Sequence, residues 1–197
     1  MSYWEVYFDI DCERLINPDI RYHVAVKSIQ QELNQNDIQT PVTGSYDEDT
    51  AASVKTFQRR NDLRADGIVG YHTARKLLLA RMDDVATRMC VPFHILSGTI
   101  RVESRFDFAA IGLFNQHHRG LGIKDPHTND ELAYDSPYSV NEVGKIIAKN
   151  LNYFSDADCA IAAFNTGAHQ ADTWGRSKDR NGLISSYVAD VRKGAFV

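Results

Sequence analysis

Apolar and polar residues alternate from residue 3 to residue 10, with Trp4, Val6, Phe8 and Ile10 on one side and Tyr3, Glu5, Tyr7 and Asp9 on the other. That period is strand-like. With no second strand nearby, the segment is expected to lie as an extended arm against the first domain. From Val26 the period becomes helical: Val26, Ile29 and Leu33 share a face until Asn36 and Asp37 end it. A second helix is predicted to begin between Asp47 and Thr50, residues suited to N-capping, and to run through Ala51, Val54 and Phe57 to Arg60. A third follows Gly70, headed by Tyr71 or Thr73, with Ala74, Leu77 and Leu78 inward. Residues 79 to 91 contain no Pro or Gly, so the connection is predicted to be helical rather than a flexible tether.

Pro92 suits a first helical turn, and Ile95, Leu96, Thr99, Ile100 and Glu103 then recur at helical spacing. Ser139-Val140-Asn141-Glu142 reads as a capping box from which Val143, Ile146, Ile147, Leu151 and Phe154 continue an amphipathic helix. Ser155 or Asp156 can cap the next helix, which carries Ala160, Ile161 and Phe164 and ends at Gly167. A last helix follows Asn181-Gly182 with Leu183, Tyr187, Val188 and Val191 inward. The chain is therefore expected to be mainly α: a small three-helix domain over residues 1–80 (core 26–80), a helical linker over 81–91 and an α-helical domain over 92–197.

Charge and composition narrow the partners. A net charge of −4 and a pI near 5.9 give no clustered basic surface for a phosphate backbone, so nucleic acid is not expected. No apolar run reaches the roughly 18 residues of a membrane span, and the first fifteen residues lack the pattern of a secretory signal. Cys12, Cys90 and Cys159 are odd in number and widely spaced, which predicts free thiols.

The residue that stands apart is Glu103, a carboxylate on an apolar stripe. Partial burial disfavours the charged form and can bring a glutamate to a pKa of roughly 6, the state a general acid needs near neutral pH. The plain alternative is a helix-end glutamate paired with Arg101 or Arg105, or facing solvent. For a second carboxylate the polar stretch after this helix offers Asp107, Asp125, Asp130, Glu131 and Asp135, none of which stands out from solvated loop charges. His117, His118 and His127 lack the spacing of a helical zinc site, and no cysteine pair supplies thiolates, so neither metal nor cofactor is expected.

Two family resemblances add to this. The set Val26-Lys27-Ser28-Ile29-Gln30, Thr43-Gly44, Thr50, Val54-Lys55-Thr56-Phe57-Gln58, Asp66-Gly67-Ile68-Val69-Gly70 and Thr73 resembles the three-helix peptidoglycan-binding domain of many cell-wall hydrolases. The resemblance marks Phe57, Gln58, Asp66, Gly67 and Gly70 as residues of that module. The ordered set Glu103-Ser104-Arg105-Phe106, Arg119-Gly120-Leu121-Gly122 and Ala160-Ile161-Ala162-Ala163-Phe164-Asn165-Thr166-Gly167 resembles the soluble lytic transglycosylase and goose-type lysozyme superfamily. It departs from that family at Gly122 and Ile123, where the family has Met and Gln, and at Phe164, where it has Tyr. The second resemblance implies Glu103 as the acid and Ser104, Gly120, Leu121, Phe164, Asn165 and Tyr187 around the sugar groove. Tyr187 stands for a late family tyrosine whose hydroxyl points toward the acid; a core tyrosine is the alternative. Ser104 could equally end its helix, and Asn165 could be a turn residue.

Cleavage between N-acetylmuramic acid and N-acetylglucosamine needs a proton on the leaving oxygen and stabilisation of an oxocarbenium-like centre. With one evident carboxyl, the resemblance implies a lytic transglycosylase that closes a 1,6-anhydro ring. The expectation is a monomeric, modular phage endolysin, made in the host cytoplasm and acting on periplasmic peptidoglycan after membrane permeabilisation. Its rivals are a hydrolytic lysozyme, a chitinase-like endolysin in which Glu131 or Glu142 faces Glu103, and a non-catalytic peptidoglycan-binding tail component.

Overall fold

A computed structural model describes residues 20–106, 135–177 and 182–194. The strand-like segment at residues 3–10 lies outside them. The described residues are mainly helical, with no sheet: α1 Ile20–Gln35, α2 Glu48–Arg60, α3 Tyr71–Leu77, α4 Leu79–Met89, α5 Phe93–Ser104, α6 Ser136–Tyr153, α7 Ala157–Thr166, α8 Ala168–Arg176 and α9 Leu183–Arg192. None of these helices is long and apolar enough to cross a membrane. Residues 20–81, 104–106 and 135–139 form one compact unit, and residues 82–103, 140–177 and 182–194 form the other.

In the first unit α1, α2 and α3 close over Val26, Ile29, Leu33, Val54, Phe57, Leu77 and Leu78, all almost fully buried. Asp47 caps α2 by accepting the Thr50 N–H at 2.8 Å. That N–H, and secondarily the Thr50 hydroxyl, hold the Asp47 carboxyl below its ordinary pKa. Within this unit a short motif occurs twice. Val26-Lys27-Ser28-Ile29-Gln30 and Val54-Lys55-Thr56-Phe57-Gln58 each place a buried glutamine on a helix. Each glutamine holds the turn that follows it. The Gln30 Oε1 accepts the Gly44 N–H at 2.9 Å, and its Nε2 donates to Thr43 Oγ1, the Ser45 carbonyl and Thr50 Oγ1 at 3.1, 3.0 and 2.9 Å. The Gln58 Oε1 accepts the Gly67 N–H at 2.9 Å, and its Nε2 donates to Asp66 Oδ1, the Ile68 carbonyl and Thr73 Oγ1 at 2.9, 2.9 and 3.1 Å. Gly44 and Gly67 both sit at positive φ, 76° and 80°, which is why each turn carries glycine. The Tyr46 hydroxyl joins the two by donating to the Gly67 carbonyl at 2.6 Å.

The same unit ends on an ionic knot. The fully buried Glu32 of α1 accepts from Arg81 Nε at 3.1 Å and from Ser136 Oγ at 2.5 Å, while the Ser136 N–H donates to Ser28 Oγ at 2.9 Å. Ser136 is thereby fastened to α1, and Phe106 packs its ring 5.8 Å from that of Tyr71. Residues 104–106 and 135–139 consequently belong with residues 20–81 rather than with the other described residues of 92–197.

The second unit is built on α7, in which Cys159 through Phe164 are all buried. A helix that is apolar all round must be covered on several sides, and α8 and α9 both lie against it. Asp156 caps α7 by accepting the Asp158 N–H at 2.8 Å, and Gly167 at φ 84° ends it. Two expectations are corrected. The sixth helix begins at Ser136, not at a capping box on Ser139. Asp135 is its cap, accepting the Tyr138 N–H at 2.8 Å, and Pro137 sits in the first turn, where a missing N–H costs nothing. Leu183 is 90% exposed rather than inward. The contacts His94 to Gly194 and Gly98 to Val191 set α5 and α9 antiparallel, so residue 183 falls past the end of α5.

Candidate functional site

Helix α5 starts where Pro92 offers its carbonyl to the Ile95 and Leu96 N–H groups at 3.0 and 3.2 Å. Its stripe of Ile95, Leu96, Thr99 and Ile100 is almost completely buried. Glu103 continues the stripe at the last turn and is half-buried. The helix buries its apolar face up to Ile100 and delivers a carboxylate at the edge of that burial.

Tyr187 reaches Glu103 from α9. Its hydroxyl donates to Glu103 Oε1 at 2.7 Å across 84 residues of chain. Burial, then the negative charge on Glu103, then the hydrogen bond itself push the Tyr187 phenol well above its ordinary pKa. The phenol therefore stays protonated across the physiological range and can act only as a donor to this oxygen. A hydrogen bond to a charged group is worth about 1.5–3 kcal/mol. The consequence is a carboxylate whose Oε1 is held by the Tyr187 hydroxyl.

The other site residues are placed as follows. Ser104 ends α5 and is buried. Phe164 lies in the buried run of α7, and Asn165 beside it is exposed. Gly120 and Leu121 lie outside the described residues, as do Asp107, Asp125, Asp130, Glu131, His117, His118 and His127. Asp135 serves as the cap of α6, and Glu142 is bonded to Lys145 Nζ. Arg101 donates through Nη2 to the Asp190 carbonyl. No group of three or more metal-ligating side chains gathers among the described residues.

In the first unit Phe57 is a core residue, 2% exposed. Gln58, Asp66 and Gly67 form the second of the two held turns, and Gly70 heads α3. These side chains shape the module from within. Gln30 performs the same task as Gln58, and the sequence signal for it was present: the two motifs repeat the same Val-Lys-x-x-Gln spacing, each followed by a Gly and, six residues after that Gly, a Thr.

Residues 22–77 match the family described as "Putative peptidoglycan binding domain". No curated protein is a match for the chain. The chain thus carries a peptidoglycan-binding domain over those residues, which supports peptidoglycan as its partner.

Proposed function

We propose that the chain cleaves the β-1,4 bond between N-acetylmuramic acid and N-acetylglucosamine in peptidoglycan, with Glu103 as the general acid. The observation that carries this reading is the half-buried Glu103 with the Tyr187 hydroxyl on one of its oxygens, in a chain that also bears a peptidoglycan-binding domain. The proton on the Glu103 carboxyl passes to the glycosidic oxygen as the bond to the muramic acid C1 breaks. General acid transfer of this kind contributes about 10²- to 10⁴-fold.

In the transglycosylase form of the reaction the C6 hydroxyl of the same muramic acid then attacks C1. Its proton goes to Glu103, the 1,6-anhydro ring closes, and water is not consumed. A fixed tyrosine suits this return step because it holds the carboxylate in one rotamer while the second oxygen collects the proton. The biological setting is that of a modular phage endolysin, which meets the wall after the membrane has been permeabilised. Purified sacculi digested with the protein should release soluble muropeptides whose muramic acid ends are anhydro by mass. Reducing ends would make the enzyme a hydrolytic lysozyme with the same acid, and release of peptides without glycan cleavage would refute the reading.

A further inference from the structure

We propose that Gly98 is a positioning residue for Glu103: the missing Cβ lets α5 and α9 approach until the Tyr187 hydroxyl reaches the Glu103 carboxyl. This rests on the assignment of Glu103 as the acid for its functional meaning, though not for its geometry. A Cβ built on Gly98 would lie 2.0 Å from the Val191 carbonyl oxygen, 2.9 Å from its carbon and 3.2 Å from its Cα. All three atoms are backbone, so no rotamer change relieves the clash. Glycine is a poor helix former in an interior position, and here it stands where two helix backbones touch.

The seam is continuous. His94 lies against Gly194, Gly98 against Val191, Arg101 donates to the Asp190 carbonyl, and Tyr187 donates to Glu103. Each step moves up α5 and down α9. Real Cβ atoms essentially never come within 3.0 Å of another heavy atom, so with alanine at Gly98 its backbone and that of Val191 must move apart by about 1 Å. Added to the present 2.7 Å between Tyr187 and Glu103, such a shift passes the limit of about 3.2 Å for a good hydrogen bond. One methyl group at Gly98 is thus enough to disconnect tyrosine from acid without touching either.

Gly144 supplies the matched control in the same unit. A Cβ there would meet Val85 Cγ1 at 2.6 Å and Met89 Sδ at 2.9 Å, which are side-chain atoms on α4 and not on this seam. The test is carried out on the full chain labelled with ¹³C at the tyrosine Cζ, the Tyr187 resonance being the one lost in Tyr187→Phe. In the wild type that resonance should move with pH as Glu103 titrates, and Glu103→Gln should abolish the movement. Gly98→Ala should abolish it as well, and Gly144→Ala should keep it.

On glycan substrate, Gly98→Ala should lower kcat about as much as Tyr187→Phe, on the order of 10-fold, and the double variant should be no slower than Tyr187→Phe alone. Should Gly98→Ala not fold, Arg101→Ala loosens the same seam without adding atoms and should weaken the same response. A Tyr187 response in Gly98→Ala equal to that in Gly144→Ala, or, where Gly98→Ala does not fold, one unchanged in Arg101→Ala, overturns the proposal. A wild type that shows the coupled titration yet cleaves no glycan leaves the positioning intact and removes the catalytic reading instead.

Discussion

Two regions of this molecule bury polar side chains, and they do so to opposite ends. In the peptidoglycan-binding domain Gln30 and Gln58 are fully enclosed, and each spends both ends of its amide on backbone and hydroxyl groups of the turn it faces. In the other unit Glu103 is half-buried at the end of an apolar stripe, with Oε1 held by Tyr187. A neutral amide with its hydrogen bonds made is a scaffold, because nothing remains to exchange with a ligand. A carboxylate kept at the edge of burial, with one oxygen held by a phenol that stays protonated, is what the proposed acid role draws on. Polarity inside the fold is therefore informative only when its satisfaction is counted.

The sharpest break between the regions should come from Gln58→Ala. It strands the buried Gly67 N–H, the Ile68 carbonyl and the Thr73 hydroxyl, and each orphaned group costs about 1–3 kcal/mol. Urea denaturation of the full chain should show a loss of several kcal/mol in the first unit, and Gln30→Ala a comparable one, with cleavage of soluble glycan unaltered wherever the second unit remains folded. If Gln58→Ala costs nothing, the amide is not the scaffold described.

Tyr187→Phe should do the reverse. The ring keeps its packing and the first unit keeps its stability, while glycan cleavage falls about 10-fold through loss of a hydrogen bond to a charged group. Equal activity in the phenylalanine variant would reduce Tyr187 to a packing residue.

The smallest effect concerns Glu32, whose Oε2 is buried without a hydrogen-bond partner. Burial pushes its pKa above the ordinary 4.5, outweighing Arg81 and Ser136, which lower it, with Asp135 adding to the rise. The folded state thus holds the proton more tightly than the unfolded one, so the associated stability is present at low pH and is lost as pH rises above 4.5 through the folded value. Thermal melts of wild type and Glu32→Gln across this range should diverge, the variant lacking that decline. Parallel curves would mean that Glu32 titrates alike in both states.

Much of this was legible in the chain itself. The caps at Asp47 and Asp156, the end of α7 at Gly167 and the stripe leading to Glu103 all follow from local chemistry, so local reading found them. The start of α6 is not fixed by local sequence, because Ser139 to Glu142 fits a capping pattern as well as Asp135 does. What decides between them is Ser136 bonding to Ser28 and Glu32, more than 100 residues away. The exposure of Leu183 is hidden from the sequence for a similar reason, since periodicity does not say where a partner helix stops. Gly98 carries no sequence signal beyond being a glycine in a helix; its meaning depends on which backbone lies against it. The repeated Gln motif could have been found from spacing alone.

On the proposed function, binding and cleavage reside in separate side chains, with Glu103 carrying the chemistry. The most direct test incubates purified sacculi with wild type and with Glu103→Gln, and reads from one tube both the protein that sediments with the sacculi and the glycan released to the supernatant. Sedimentation should be equal, and release should be lower by about 10²- to 10⁴-fold in the variant. Equal release by the two proteins would contradict the proposed function.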